Sequence, residues 1–236
     1  MELELNTNNL SLGQKLYRIF TNPSSVFIDL EHNHNWFAAL LIISTISLVT
    51  VLPLLSKMKE YSMMKLQQMP DNSAFATPEM LNMAGTISVI GILVGSFLVP
   101  LLFALIMALL LKLFNAFAGD KVKYRKLFAV CVYAYLPILL SSLITLGIGI
   151  TTPAESIGNI STSLNLFFPP DTYTFPAMLA GQINPFMLWS LYLAALGGAI
   201  LMKSEVKKVG IYVFLVWLIY ALGTSYYNAL KMSTMV

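Results

Sequence analysis

The sequence predicts an all-α membrane protein with five transmembrane helices, and three observations support this fold class. Of the 236 residues, 57% are hydrophobic and only 11% are charged, whereas a soluble domain carries about 25% charged residues. The apolar residues form five long runs, and the lysines and arginines lie between those runs. A chain with so little polar surface must bury its apolar surface in a bilayer, where helices satisfy every backbone polar group.

Each of the five apolar runs is long enough to cross the hydrocarbon core, which takes about 20 helical residues. The predicted spans are residues 36–56, 85–111, 127–150, 183–202 and 210–230. The second is long enough that its helix must tilt or protrude. Together the spans predict a five-helix domain over residues 36–230, which is followed by a short tail at 231–236.

Residues 1–35 predict a cytoplasmic segment with a short amphipathic helix before the first span. Four apolar residues recur at helical spacing after Ser11, which is placed to cap the helix. They are Leu12, Leu16, Ile19 and Phe20. Lys15 and Arg18 lie off this stripe, so we expect the helix to lie at the cytoplasmic membrane surface. Asn22-Pro23 then ends it.

The distribution of cations predicts the orientation in the membrane. The N-terminal segment, the second loop and the fourth loop lie on one side of a five-span chain and hold ten lysines and arginines, against four on the other side. The positive-inside rule therefore predicts a cytoplasmic N-terminus and an external C-terminus. The basic cytoplasmic loop comprises Lys121, Lys123, Arg125 and Lys126. We interpret it as a topological anchor that can also contact anionic lipid headgroups.

The sequence contains no motif of a reaction centre, and we therefore predict that the chain is not an enzyme. It lacks zinc-ligand spacings, a phosphate-binding loop and a nucleophile elbow. His32 and His34 lie in an asparagine-rich stretch that we interpret as a solvated turn, and Cys131 as a small buried apolar residue. The predicted spans hold no carboxylate, histidine, lysine or arginine, which disfavours a coupled transporter. We expect no cofactor, no metal and no nucleic-acid partner.

Two pairs of small residues in the spans predict close helix packing, because small residues let helix backbones approach in lipid. Gly91 and Gly95 form one pair in the second span, and Ala194 and Gly198 form the other in the fourth. Either pair can serve packing within the chain or dimerisation, and the oligomeric state stays open.

The outer loops leave two interpretations open. The first, at about residues 57–84, is rich in methionine, and the third, at about 151–182, contains neither lysine nor arginine. Both loops are interpreted either as connections with interfacial side chains or as a docking surface for a partner, since methionines make adaptable apolar contacts.

Three stretches, in order along the chain, resemble the Yip family (Ypt-interacting protein domain) of multi-pass membrane proteins. They are IFTNPSSVFIDL, FNAFAGDKVKYRKLFAVCVYAYLP and INPFMLWSLYLAALGGAILMKSEVKK. The positions that match are Pro23, Phe27, Gly119, Tyr124, Tyr133, Pro137, Pro185 and Trp189. The resemblance implies structural or interaction roles for them. The short polar region before the first span is similar to that of bacterial members.

The resemblance implies a non-enzymatic five-helix protein of the plasma membrane. Eukaryotic members are associated with Rab-type GTPases, membrane traffic and membrane shaping, and some bacterial members accompany ABC-type exporters of the MacB kind. We therefore expect an accessory or scaffold protein whose partners are membrane lipids and other membrane proteins, ABC exporter subunits among them. Two alternatives are a membrane-shaping or lipid-organising protein and a small-molecule permease. The permease would need hydroxyl side chains of the first and third spans to line a path.

Overall fold

The computed structural model of the chain describes residues 9–33, 35–68, 77–118, 122–170 and 172–233. These residues form ten α-helices and short 3-10 turns, and they form no strand. The helices are α1 Leu12–Thr21, α2 Pro23–His32, α3 Phe37–Val51, α4 Leu55–Gln67, α5 Pro78–Ala118, α6 Tyr124–Ala134, α7 Leu136–Thr151, α8 Phe175–Gln182, α9 Pro185–Met202 and α10 Val206–Ser233. The predicted all-α fold is confirmed.

Within the described residues, five helical segments are long and apolar enough to cross a membrane, as predicted. They are Phe37–Gln67, Pro78–Phe117, Tyr124–Thr151, Pro185–Met202 and Val206–Met232. Most of these helices extend beyond the apolar runs. The first, for example, passes the predicted end at residue 56 and continues to Gln67. Hydropathy indicates which part of a helix can lie in lipid. Backbone hydrogen bonding and helix propensity decide where the helix ends.

Prolines in the spanning helices are accommodated in three ways. Leu52–Leu54, which contains Pro53, tightens into a 3-10 turn between α3 and α4. Pro137 lies in the first turn of α7, where a missing N–H leaves no helical bond unmade. Pro100 lies inside α5, which remains helical around it; in lipid such a position requires neighbouring groups to satisfy the freed carbonyl.

The chain divides into two compact units, and the division falls within the spanning segments. The first unit comprises Met1–Ile43, Pro100–Pro137 and Trp189–Val216. The second unit comprises Ser44–Val99, Ile138–Leu188 and Trp217–Val236. Each spanning segment therefore contributes to both units.

The core of the first unit is built around α6. Every residue from Leu127 to Ala134 is buried, and α2 and α1 pack against this helix. The part of α9 within this unit is rich in buried small residues, which permit short distances between helices. Tyr212 connects α10 to α5, because its hydroxyl donates a hydrogen bond to the carbonyl of Leu110 at 3.1 Å.

The second unit is held together by polar capping and by contacts of α4. The ammonium of Lys57 lies 3.0 Å from the carbonyl oxygen of Gly149, 2.8 Å from that of Ile150 and 2.6 Å from that of Thr152. These carbonyls lie at the C-terminal end of α7, where helical partners are lacking and a cation is favoured. Lys57 therefore fastens the start of α4 to the end of α7.

Candidate functional site

Several of the positions that match the family motif meet in the first unit. Their side chains connect α1 and α2 to α6 and α9. We call this cluster the motif junction, and it comprises Lys15, Phe20, Phe27, Asp29, Tyr133, Trp189 and Gly197.

A short helical hairpin forms one side of the motif junction. The Ser11 hydroxyl accepts from the N–H of Gln14 at 3.3 Å, and the Gln14 side chain accepts from the N–H of Ser11 at 2.9 Å, so α1 begins with a complete capping box. Asn22 ends α1, and its side chain accepts from the N–H of Ser25 at the start of α2. Pro23 follows as the first residue of α2, where its fixed φ favours the helix.

A buried ion pair joins the two helices of the hairpin. The ammonium of Lys15 lies 2.6 Å from Asp29 Oδ2, and the two side chains are 3% and 10% exposed. Lys15 also donates to the carbonyl of Asn33 at 3.1 Å, while the N–H of Leu10 donates to Asp29 Oδ1 at 3.0 Å. The pair is thus supplied with the additional hydrogen bonds that a buried ion pair needs.

The burial of Lys15 changes the interpretation of α1. Sequence spacing puts this residue off the apolar stripe, yet it is buried together with Ile19, whereas Phe20 is 37% exposed. The buried face of α1 packs against α2 and α6. The helix is therefore docked within the first unit through Lys15 and Ile19, and its expected position at the cytoplasmic membrane surface stays a prediction. The spacing of the apolar residues did not predict the burial of Lys15. Asp29 neutralises this lysine, which would otherwise avoid the core.

Phe27 and Gly197 form the tightest packing of the motif junction. Phe27 is fully buried. A methyl group at Gly197 would lie 2.5 Å from Val130 Cγ1 and 2.8 Å from Phe27 Cδ1, so only glycine fits there without a shift. Sequence analysis did not single out Gly197, although its place beside Gly198 in the small-residue stretch of α9 is the signal that could have identified it.

Tyr133 and Trp189 connect the other elements. The Tyr133 ring is fully buried, and its hydroxyl donates to the carbonyl of Asn35 at 3.2 Å, just before α3. Trp189 packs edge-to-face on Phe20 with ring centroids 5.5 Å apart, which joins α9 to α1. Both residues therefore contribute packing or hydrogen bonding to backbone.

The remaining motif positions lie around the junction or apart from it. Tyr124 begins α6, and its hydroxyl donates to the carbonyl of Leu105 at 3.1 Å. Pro137 is the last residue of the Pro100–Pro137 stretch of the first unit. Pro185 begins α9 within the second unit, after Asn184, whose side chain accepts from the N–H of Phe186 at 2.9 Å. Gly119 lies outside the described residues.

The basic loop leads into the start of α6. Lys123 is the N-cap residue of that helix, and Lys123 and Arg125 are exposed, while Lys126 is half-buried. No carboxylate of the described residues lies within ion-pair distance of these three. Lys121 lies outside the described residues.

The cations are concentrated in the first unit. Among the described residues, this unit has nine cations, which are Lys15, Arg18, Lys112, Lys123, Arg125, Lys126, Lys203, Lys207 and Lys208. It has three carboxylates, which are Asp29, Glu31 and Glu205. The described part of the second unit has four cations and three carboxylates, which are Lys57, Lys59, Lys65 and Lys231 with Glu60, Glu79 and Glu155. The excess positive charge therefore belongs to the first unit.

The two small-residue pairs lie in different surroundings. Ala194 is fully buried, and a methyl group at Gly198 would meet the side chain of Leu111 at 3.0 Å. A methyl group at Gly91 or Gly95 would meet nothing within 4 Å. The pair in α9 thus lies in a packed contact, whereas the pair in α5 faces open space.

The described residues carry no arrangement that suggests covalent chemistry. They include no group of three His, Cys, Asp or Glu side chains that is able to hold a metal. Cys131 is buried and is a free cysteine, not part of a disulfide. Of the hydroxyls of the first and third spans, Thr50 donates to the carbonyl of Ser47 at 2.8 Å and Ser141 bonds Thr162 at 2.7 Å. The Ser47 hydroxyl is buried and has no hydrogen-bond partner among the described residues. The arrangement can position helices and bind partners.

Comparison with known proteins gives one match. The family model described as the Yip1 domain matches residues 17–227. The matched range includes the junction from Phe20 onward and all five spanning segments up to Tyr227 in α10. No curated protein and no solved structure matches the chain.

Proposed function

We propose that this chain, a multi-pass membrane protein that belongs to the Yip1 domain family, acts as a non-catalytic scaffold in a bacterial plasma membrane. The motif junction carries the proposal. The family-motif side chains Phe27, Tyr133 and Trp189 are engaged in packing or in a hydrogen bond to backbone. A junction of this kind fixes the position of helices, so the activity must lie in the surfaces that it holds in place.

Two exposed apolar side chains lie on the docked hairpin. Tyr17 is 68% exposed on α1, and Ile28 is 40% exposed on α2. Exposed apolar side chains on an otherwise tightly packed hairpin suit contact with another protein or with lipid. Lys123 and Arg125, which have no carboxylate partner among the described residues, belong to the same unit.

We propose a subunit of an ABC-type exporter of the MacB kind as the protein partner. The resemblance to bacterial members supports this choice. It is also supported by the apolar spans, because a protein without ionisable groups in the membrane is suited to assist a transporter rather than to couple transport itself. The open face of α5 at Gly91 and Gly95 offers a place for a helix of the partner to approach closely.

Affinity purification from native membranes in a mild detergent tests the proposal. We expect an exporter subunit to co-purify in a fixed ratio with the full chain, as identified by mass spectrometry. Tyr17→Ser should reduce its recovery. Tyr227→Ser is the matched control, because Tyr227 is 64% exposed but lies in the second unit. If no exporter subunit is enriched over an unrelated multi-pass protein purified in the same way, the partner is wrong.

The excess of cations in the first unit favours lipid organisation as a second candidate function. Each cation near an anionic surface contributes about 1 kcal/mol to binding. Purified protein is expected to cluster phosphatidylglycerol vesicles, and replacement of Lys123, Arg125 and Lys126 by glutamine should abolish the effect. Lys59→Gln, in the second unit, is the control. Vesicles that stay dispersed with wild-type protein would argue against this candidate.

The same charge distribution supports the proposed orientation, with a cytoplasmic N-terminus. Accessibility labelling of single cysteines in a Cys131→Ala background tests it. A cysteine placed beside Lys207 should react only after the membrane is permeabilised, whereas one beside Glu155 should react in intact cells. Neutral residues at all four positions of the basic loop should weaken this difference. Reaction beside Lys207 in intact cells would reverse the assignment.

A further inference from the structure

The N-terminal hairpin of α1 and α2 packs along the length of a spanning helix of the first unit. Phe20 of α1 meets Trp189 of α9 with ring centroids 5.5 Å apart. Phe27 of α2 lies against Gly197 of the same helix, where a methyl group would come within 2.8 Å of its ring. The two contacts are separated by about 12 Å along α9, at the rise of an α-helix. The hairpin therefore runs beside α9 rather than across one end of it.

The contact at Trp189 lies far from the end of α9 that is on the N-terminal side of the membrane. Because the five spanning segments of the described residues cross in alternate directions, the end of the fourth, at Met202, lies on the side where the first begins. Trp189 is about 20 Å from Met202 along the helix, whereas Gly197 is only about 8 Å from it. The hydrocarbon core is about 30 Å thick, so Phe20 reaches well into it.

The charged groups of the hairpin at this depth are kept away from lipid. Lys15 and Asp29 form an ion pair at 2.6 Å and are 3% and 10% exposed. Ionisable residues inside a membrane face the protein interior and pair with one another or with backbone carbonyls. Lys15 does both, since it also donates to the carbonyl of Asn33. Arg18 is half-buried, and because helical side chains tilt toward the helix N-terminus, its guanidinium can snorkel to the nearer surface.

The turn at the tip of the hairpin satisfies several of its own backbone groups. The N–H of Asn22 donates to the carbonyl of Arg18 at 2.7 Å, and the hydroxyl of Ser25 donates to the carbonyl of Asn22 at 2.8 Å. The N–H of Ser25 donates to the side chain of Asn22 at 3.4 Å, and Pro23 has no N–H. In hydrocarbon, backbone polar groups need partners within the protein, and this turn is suited to that environment.

We propose that the N-terminal hairpin is a re-entrant element of the membrane domain. It enters the leaflet on the N-terminal side, turns at Asn22-Pro23 inside the bilayer and returns to the same side before α3. Its exposed apolar side chains then contact lipid acyl chains; they are Tyr17, Phe20 and Ile28, which are 68%, 37% and 40% exposed. Sequence spacing predicts instead a helix that lies flat on the membrane surface. The proposal goes beyond the scaffold function and does not depend on its exporter partner.

Depth measurements along α1 separate these two positions. Gly13, Tyr17 and Thr21 follow one another at intervals of four on one face of the helix, and all three are exposed. In a helix that lies flat they share one depth, whereas in the re-entrant hairpin Thr21 lies about 12 Å deeper than Gly13. Each is replaced by cysteine in a Cys131→Ala background of the full chain, labelled with a nitroxide and reconstituted into phosphatidylcholine–phosphatidylglycerol vesicles. Collision rates with oxygen and with a water-soluble nickel chelate report the depth of each label.

We expect the ratio of oxygen to nickel collisions to rise from Gly13→Cys through Tyr17→Cys to Thr21→Cys. Lys207→Cys, at the exposed start of α10, is the aqueous reference. Ile219→Cys is the lipid reference, because Ile219 is 71% exposed within the last span. Equal depths at the three positions of α1, or nickel collisions at Thr21→Cys as frequent as at Lys207→Cys, would overturn the proposal.

A photocrosslinker identifies what covers the hairpin. The purified full chain carries p-benzoylphenylalanine at position Tyr17, a group that inserts into nearby C–H bonds, in the same vesicles. We expect mass spectrometry to find phospholipid attached through an acyl chain, with at least tenfold less lipid adduct when the group is at position Lys207. A dominant crosslink to a second copy of the chain, or a lipid yield no higher than at Lys207, contradicts contact with acyl chains. Since no exporter is present, this result is independent of the partner proposed above.

Discussion

The two units are stabilised in different ways, although the same five segments run through both. The largest fully buried side chains all belong to the first unit, and they include Tyr133, Phe27 and Leu127. In the second unit the buried set includes many hydroxyls and small residues, and the contacts that fasten it are hydrogen bonds of Lys57, Thr162 and Asn184.

This difference shows that the first unit is closely packed and that the second unit contains an open volume. In the first unit, apolar side chains dock the N-terminal hairpin, and Gly197 packs closely against Phe27. In the second unit, polar bonds hold loops apart around a volume of about 730 Å³. The first unit is therefore closely packed around Phe27, whereas the second contains a cavity.

The largest effect expected from a single change in the first unit is that of Asp29→Ala. It leaves the buried ammonium of Lys15 without its counter-ion, and loss of one partner of such a pair costs about 3–5 kcal/mol. SDS titration of the purified protein measures the free energy of unfolding. Glu205→Ala breaks the exposed pair with Lys208, whose Nζ–Oε1 distance is also short at 2.7 Å, and should cost at most about 1 kcal/mol. Equal losses in the two variants would contradict the buried geometry.

A change that tests the polar fastening of the second unit is Lys57→Met. It keeps the length of the side chain but removes the ammonium from three carbonyls. Hydrogen bonds to a charged group contribute about 1.5–3 kcal/mol, and we expect a loss of that size. Lys59→Met removes a cation two residues away that makes no such bonds to the described part of the chain, and it should be nearly neutral in the same titration. If Lys57→Met is also neutral, the second unit does not depend on this contact.

Gly197→Ala tests the close packing of the first unit. A methyl group there overlaps Val130 and Phe27, and overpacking of a core costs about 1–3 kcal/mol. Gly91→Ala adds the same methyl group to the open face of α5. Since alanine favours helix over glycine, this control should be neutral or stabilising. Thermal unfolding followed by intrinsic fluorescence distinguishes the two signs, and a stabilised Gly197→Ala would mean that the contact between α2 and α9 is loose.

Tyr133→Phe gives the smallest expected effect. It removes only the hydroxyl that donates to Asn35, a bond that contributes about 0.5–1.5 kcal/mol. The buried ring stays in place, so the fold and topology should not change. Tyr226→Phe, at a side chain that is 61% exposed in the second unit, is the matched control. A loss as large as that of Asp29→Ala would show that the hydroxyl supports more than this one bond.

The five spanning segments could be predicted because they depend on local composition. Runs such as residues 85–111 are apolar throughout, and no soluble arrangement can bury them all. The ends of the helices were harder to predict. The first span continues to Gln67 through a polar stretch, where backbone hydrogen bonds maintain the helix and hydropathy gives no signal. The capping residue Ser11 was predicted from sequence, since its partner Gln14 is only three residues away.

The candidate site was only partly accessible to sequence analysis. The motif positions Phe27, Tyr133 and Trp189 were identified by resemblance, but their association with Lys15 and Asp29 was not, since partners distant in sequence meet only through folding. The cavity of the second unit was not predicted for the same reason. Its lining residues Tyr61, Asn159 and Gly181 come from α4, from the loop after α7 and from α8.

The amino-acid sequence is sufficient to specify an α-helical, five-span membrane protein, because the length and composition of each apolar run are local properties on which the bilayer acts directly. It also identified the family, through motifs in fixed order. Tertiary packing, in contrast, makes Lys15 a buried ion-pair partner rather than a surface cation, and it covers Gly198 while Gly91 stays open. It also brings together the residues that line the cavity of the second unit. Those properties depend on which side chain meets which, and that depends on how helices distant in sequence pack together.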